Sequence, residues 1–348
     1  MKNLAFHIAG LSFVLAACHD NPKVEPGSQP YQFEVPANFP APLENRENPM
    51  TKEGIALGRL LFYDVRLSGN NKISCASCHE PKLAFSDGKA LGNAGVSGTT
   101  LHRHAPALIN LAWAGNGLFW DGGSTNLESQ AFGPLTAADE MHQDLFELVD
   151  ELNAVPDYVT RFKVAFNEKI TSQSVVKALA QFQRSLVSAS SRYDKYRRNE
   201  PGGNLSPQEL IGWQLVQEKC QGCHAGELFT DHDYHNNGID ADFSNDALEG
   251  IFQGRFRVTY KTADIGRFKT PTLRNIALTA PYMHDGRFES LEDVLDHYSE
   301  EIKTSPTLDL KLPEKGLKLK EEEKKAIITF LKTLTDQEFI TNPEFSRP

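Results

Sequence analysis

Cys75-Ala76-Ser77-Cys78-His79 and Cys220-Gln221-Gly222-Cys223-His224 decide how this chain is read. Both have the form C-x-x-C-H, and 145 positions separate them. Two thiols about one helical turn apart can each form a thioether to one edge of a porphyrin. The histidine that follows then swings under the ring to bind iron. At this chain's own Cys and His frequencies, one such string is expected by chance about 0.002 times. A zinc site would want further thiol or imidazole ligands in paired spacing, and a redox dithiol would want a βαβ setting; neither pattern occurs. The spacing predicts two covalently bound haem c groups, with Cys75, Cys78, Cys220 and Cys223 as thioethers and His79 and His224 as iron ligands.

Around these strings the pattern is helical. Residues 142–154 place Leu145, Leu148, Val149 and Leu152 on one face, and 172–187 do the same with Val175, Val176, Leu179, Phe182 and Leu186. Ser206-Pro207-Gln208-Glu209 is a capping box with proline at the first helical position. Residues 320–335 form a last amphipathic helix through Ile327, Ile328, Leu331 and Leu334. No period-two alternation is sustained, and Pro201-Gly202-Gly203-Asn204 marks a boundary. The expected fold is all-α: two tandem cytochrome c-like domains, residues 45–200 and 201–348, each with one haem.

A length of 348 residues suits two domains, and 40% hydrophobic with 24% charged residues is a globular composition. A formal charge of −10 leaves no basic excess to displace phosphate counterions, which excludes nucleic acid as a partner. Only residues 1–18, MKNLAFHIAGLSFVLAAC, are apolar enough to enter a membrane. One lysine, a short apolar core and small residues before a cysteine describe a secretory signal and resemble a bacterial lipobox. Cys18 would then carry lipid and tether the exported chain to a membrane on its periplasmic face. Residues 19–44 hold six prolines and read as an extended tether without a core.

Several further strings follow in order: Leu61-Phe62-Tyr63-Asp64-Val65-Arg66-Leu67-Ser68, Phe119-Trp120-Asp121-Gly122, Leu127-Glu128-Ser129-Gln130, Gly133-Pro134-Leu135, Glu140-Met141, Thr270-Pro271-Thr272-Leu273-Arg274-Asn275, and Ala280-Pro281-Tyr282-Met283-His284-Asp285-Gly286. With them the chain resembles, from about residue 48 to 340, the bacterial diheme cytochrome c peroxidases and their relative MauG. The resemblance implies that the haem on His79 is the peroxidatic site. Glu140 matches the family's distal glutamate, Gln130 and Pro134 its pocket neighbours, and Trp120 the tryptophan that relays electrons between haems. Heterolysis of an O–O bond requires a group that moves a proton from the near to the departing oxygen, and Glu140 suits that role. Alone, Glu140 reads more simply as a solvated acid near a helix start, Gln130 as a surface amide, and Pro134 as a turn former.

Arg66 and Arg274 are expected at haem propionates, where a guanidinium fork suits a carboxylate. The resemblance also implies a calcium ion held by the carbonyls of Thr279 and Pro281. The third family position, an asparagine, falls on His104, and imidazole is a poor calcium ligand. Tyr298 stands fourteen positions after His284, where the family's peroxidases usually carry methionine and the MauG branch carries tyrosine. It is the expected second axial ligand of the second haem. Met283 is a rival thioether, and His297 would point about 100° away from the ligand face. His142 and His297 read as helix-surface residues, and His232 and His235 as part of a solvated loop. The loop Asp87 to Thr100 carries Gly88, Gly92, Gly95 and Gly98 but no histidine. Such a loop is expected to be mobile. In many family peroxidases the corresponding loop carries a histidine that caps the resting iron, so the resemblance implies a first haem open to peroxide, with His102 and His104 as the nearest rivals for a cap.

Three functions fit this inventory. The leading one is a peroxidase that reduces hydrogen peroxide with electrons from a small redox protein, such as a cytochrome c or a cupredoxin, entering through the second haem. The second is a MauG-like oxygenase that modifies residues of a partner protein. The third, a simple electron carrier, has no use for Gln130, Pro134 and Glu140. The sequence leaves monomer and homodimer both open.

Overall fold

A computed structural model describes residues 27–91 and 94–348. The chain is mostly helical, and the helices segregate into two apolar cores. In the first, the helix Lys52–Phe62 packs on Ser172–Ser185. In the second, Pro207–Lys219 packs on Glu321–Lys332. The two crossings are built alike. A Cβ on Gly58 would lie 2.0 Å from the Ala178 carbonyl oxygen and 2.9 Å from the Phe182 Cβ. A Cβ on Gly212 would lie 2.0 Å from the Ala326 oxygen and 2.8 Å from the Phe330 Cβ. In both lobes a glycine lets two backbones touch beside a phenylalanine, a contact no larger residue permits.

The caps follow from local chemistry. Ser206 accepts from the Glu209 amide and opens its helix with Pro207 at the first position. Ser290 accepts from the Asp293 amide and starts Leu291–Glu300, the helix that carries Tyr298. The helix expected over 142–154 runs Leu145–Asn153, starting at Asp144, whose carboxylate accepts from the Phe146 and Glu147 amides.

The sequence expectation is corrected in four places. A two-residue antiparallel ladder pairs Tyr234 with Lys269 and His235 with Phe268, too short to show as alternation. The described part of the proline-rich stretch is no tether: Phe39 is buried with Trp113, whose indole N–H donates to the Pro40 carbonyl at 2.8 Å. The Asn38 amide also donates to Asp194 at 3.0 Å, which pins this segment to the second lobe. His297 is not a surface residue; it is 2% exposed, with its Nε2 on the Asn237 carbonyl at 3.0 Å. His142 is exposed, but it precedes its helix rather than lying on it.

Tyr193 belongs to the second core, ahead of Pro201, and Phe339 near the C-terminus returns to the first. The lobes share a buried polar knot. The Asn275 amide donates to Ser188 Oγ at 2.9 Å, and Ser188 Oγ donates to Asp336 at 3.0 Å. Cys18 and the rest of 1–26 lie outside the described residues. Among those described, no helix is long and apolar enough to cross a membrane.

Candidate functional site

Each C-x-x-C-H string forms a tight turn that brings its histidine back over the first cysteine. The His79 amide donates to the Cys75 carbonyl at 3.0 Å, and the His224 amide to the Cys220 carbonyl at 2.9 Å. Each ring then donates from Nδ1 to a carbonyl beyond it: His79 to Phe85 at 2.7 Å and His224 to Phe229 at 3.2 Å. Both acceptors are phenylalanines with positive φ, 61° and 51°, a backbone turn that folds the loop back on the ring. Nδ1–H donation leaves the Nε2 lone pair for a metal, the second-shell device of histidine-ligated iron. Burial lowers both imidazoles, which favours the neutral, ligating form.

Among the described residues the four cysteines form no disulfide. Burial pushes the Cys75 and Cys220 thiols up to about 12 and Cys78 to about 11. Such thiols make poor zinc ligands or redox nucleophiles, as both depend on thiolate.

The first chamber holds about 640 Å³ of atom-free space and brings Cys75, Cys78, His79, Gln130, Pro134 and Glu140 together. Gln130 and Pro134 lie on the helix Leu127–Thr136, capped by Asn126, which accepts from the Ser129 amide at 2.8 Å. Pro134 has no N–H to give the Gln130 carbonyl, so the helix is loosened where it faces the chamber. The chain then doubles back, with the Met141 amide on the Pro134 carbonyl at 3.0 Å, and this return presents Glu140. Burial, with Asp139 adding, pushes the Glu140 carboxyl up to about 7. A carboxyl balanced near neutrality can both take and give a proton. His79 is the one histidine among the described lining residues, so a single imidazole faces this chamber. The glycine loop is not uniformly mobile, because Gly95 is part of the wall and rests on the Asp139–Glu140 backbone.

The second chamber is larger, about 1330 Å³, and is lined by Cys220, Cys223, His224, Met283, Tyr298 and Trp120 among others. Burial raises the Tyr298 hydroxyl to about 12. The Asn237 amide reaches both the Tyr298 hydroxyl and the Met283 sulfur at 3.3 Å, so the two rival ligands share one anchor.

Between the chambers lies a central cavity bordered by Trp120, Gln130, His104, His232 and Lys269. Trp120 lines this cavity and the second chamber but not the first, and its indole N–H donates to the His104 carbonyl at 2.9 Å.

The two expected propionate arginines are engaged elsewhere. Arg66 is half-exposed, 3.2 Å from Asp64 and over the Tyr158 ring, and lines none of the three spaces. Arg274 does border the central cavity, but both terminal nitrogens bind Asp194 at 2.8 Å in a fully buried pair. His104, Thr279 and Pro281 also border that cavity, which no carboxylate lines among the described residues. Both His104 nitrogens are taken, Nδ1 by the Lys89 carbonyl and Asp87, and Nε2 by Ser86. His104 therefore offers calcium no ligand, and Thr279 and Pro281 would supply two carbonyls of the six to eight oxygens it takes.

Sequence reading missed Lys269 and His232 as cavity residues, because a lone lysine or histidine carries no spacing signal. His235 is likewise no loop residue; it sits on the short ladder, clasped by Asp231 and Asp309. Cys223, Asp231 and His235 place their ligand atoms within 4.8 Å of one another. With Cys223 assigned to a porphyrin edge, the remaining pair falls short of a metal site.

Two histidine-and-dithiol chambers in one helical chain, one faced by a neutral-range carboxyl, define a diheme c-type oxidoreductase. The comparisons agree. Residues 52–202 match the family model described as di-haem cytochrome c peroxidase. The chain is 38% identical over 307 residues to the methylamine utilization protein MauG of Methylorubrum extorquens, covering 87% of this chain and 83% of that one. It is 32% identical over 317 residues to the cytochrome c551 peroxidase of Nitrosomonas europaea, covering 90% and 87%. A crystal structure of a MauG-like protein associated with microbial copper homeostasis superposes with a TM-score of 0.83 at 35% identity, over 91% of this chain and 99% of that one. This chain belongs to the di-haem cytochrome c peroxidase family, and membership implies two haem c groups.

Proposed function

We propose that this chain consumes hydrogen peroxide at a haem held by Cys75, Cys78 and His79, with electrons arriving through a second haem held by Cys220, Cys223 and His224. The observation that carries this reading is the Glu140 carboxyl, poised near 7 in the same chamber as His79. Bound haem would supply an iron open to peroxide and a store of oxidising equivalents. Glu140 takes the proton of the near peroxide oxygen and returns it to the far one, which leaves as water. Gln130, on the same wall, orients the peroxide, and Pro134 shapes the turn that presents both. Two electrons and two protons complete the reduction of one peroxide to two waters. Trp120, beside the second chamber, is the relay. In this reading residues 45–200 carry the first haem and 201–348 the second, in a chain exported to the periplasmic face and anchored through Cys18.

The electron source separates two readings. In the peroxidase reading a small cytochrome c or cupredoxin supplies both electrons. In the other, residues of a partner protein supply them and are oxidised, as a MauG-like oxygenase would do. Tyr298 in the second chamber favours the latter, since a phenolate ligand lowers the potential and makes that haem a poor acceptor from ordinary cytochromes. The 38% identity to MauG supports the same side. The test is a peroxide reaction of the two-haem protein with a reduced small cytochrome. Rapid donor oxidation supports the peroxidase; oxidising equivalents that persist beside the donor support partner-protein oxidation. Absence of any reaction with peroxide overturns both.

A further inference from the structure

Two polar groups on the central cavity take no part in the peroxide step. Lys269 is half-buried; its Nζ lies 5.1 Å over the Tyr234 ring, donates to two backbone carbonyls, His232 at 2.8 Å and Asn116 at 3.3 Å, and forms no ion pair among the described residues. His232 Nε2 is fully buried without any hydrogen-bond partner in the same set. A part-buried ammonium that forms no ion pair and feels Asp233 and Asp231 only through space, and a buried imidazole nitrogen without a partner, are each better satisfied by a ligand. Both border the central cavity, and Lys269 borders the second chamber as well. The ladder places Lys269 opposite Tyr234, and its amide donates to the Trp120 carbonyl at 2.7 Å. Burial, with Arg255 adding and Asp233 and Asp231 opposing, lowers the Lys269 ammonium to about 8, a penalty that a closer anion would remove.

The geometry points to a carboxylate here, and the second haem brings one: we propose that Lys269 and His232 hold a propionate of the haem attached at Cys220 and Cys223. Lys269 supplies the charge and His232 an Nε2–H donor. This rests on the two-haem reading above and replaces Arg66 and Arg274, whose guanidinium groups are occupied. The pair makes these positioning residues: they fix the porphyrin edge beside Trp120 and neutralise a negative charge that would otherwise favour ferric iron.

The test uses the full two-haem protein, with intact mass confirming both attachments, and reads the midpoint potential of the second haem against pH. In Lys269→Met the midpoint falls and becomes pH-dependent on the acid side, since the unpaired propionate now takes up a proton. Lys269→Arg keeps the wild-type profile. Should Lys269→Met not fold, His232→Phe shows the same downward shift, smaller because only a neutral donor is lost. A folded Lys269→Met with two haems and an unmoved profile overturns the proposal; a lowered melting temperature alone would mark a purely structural lysine. A wild-type mass short of two haems overturns the two-haem reading and the proposal with it.

Discussion

The amide of Val96 donates to the carbonyl oxygen of Glu140 at 2.6 Å. A Cβ on the preceding Gly95 would lie 2.3 Å from that oxygen, so the glycine loop clamps the backbone that carries the carboxyl. Glu140→Gln keeps this clamp and removes the acid. Its peroxide reaction should fall about a hundredfold to ten-thousandfold, the usual worth of general acid–base assistance, with both haems retained. Gly95→Ala should also slow the step, by displacing Glu140 rather than deleting it. Stopped-flow mixing with peroxide measures both, and a Glu140→Gln rate within threefold of wild type would show that another group moves the proton.

The pH dependence follows from the same carboxyl. Glu140 begins the step as a base, so its ionised form is the active one. With its pKa raised to about 7 by burial and then by Asp139, the rate should rise with pH through that value and fall on the acid side. Asp139→Asn removes a neighbouring negative charge, favours the carboxylate, and should move the acid limb to lower pH. A limb that stays in place, or moves upward, would assign it to another group.

The sequence carries what is local and leaves out what the ladder and the lobe contact decide. Thioether attachment needs only five consecutive residues, so both haem strings stand out unaided. Glu140, Gln130 and Trp120 become legible through the order of the strings around them, not through their own chemistry. Lys269 does not, because a ladder of two residues per strand leaves no alternation to read, and a lone histidine such as His232 carries no spacing signal. His297 looks exposed on a helical wheel, yet the loop at Asn237 covers that side of its helix. The prolines of 19–44 suggest an unpacked tether, whereas Phe39 packs on Trp113 and Asn38 binds Asp194, 156 positions on, only once the lobes are assembled.

The matched glycine crossings predict a stability loss in either lobe. A Cβ 2.0 Å from a backbone oxygen at Gly58 or Gly212 cannot be accommodated without moving a helix. Overpacking of this kind typically costs about 1–3 kcal/mol. Gly58→Ala and Gly212→Ala should each lower the melting temperature of the two-haem protein, by about 2–4 °C per kcal/mol for a domain of this size. Differential scanning calorimetry measures it. A variant that melts with wild type would mean that the paired helices slide apart without loss.

Tyr298 gives the sharpest spectroscopic prediction. It lies on the helix Leu291–Glu300, lines the second chamber with Cys220, Cys223 and His224, and has its hydroxyl on Asn237 at 3.3 Å. Burial holds that hydroxyl neutral, near 12, in the protein alone. A ferric haem held in that chamber by Cys220, Cys223 and His224 would supply the charge that favours phenolate, as a bound cation inverts the ordinary direction of a pKa shift. Met283 shares the same anchor, so the structure offers one oxygen and one sulfur to the same side. The ligands differ in what they do to the haem: phenolate favours ferric iron and lowers the potential, and thioether raises it. Tyr298→Phe should therefore change the ferric spectrum of the second haem and raise its midpoint, and the Met283→Leu spectrum should match wild type. If Tyr298→Phe leaves the spectrum unchanged, or wild type already shows a methionine–iron charge-transfer band, Met283 is the ligand and the peroxidase reading gains the support that Tyr298 now gives to partner oxidation.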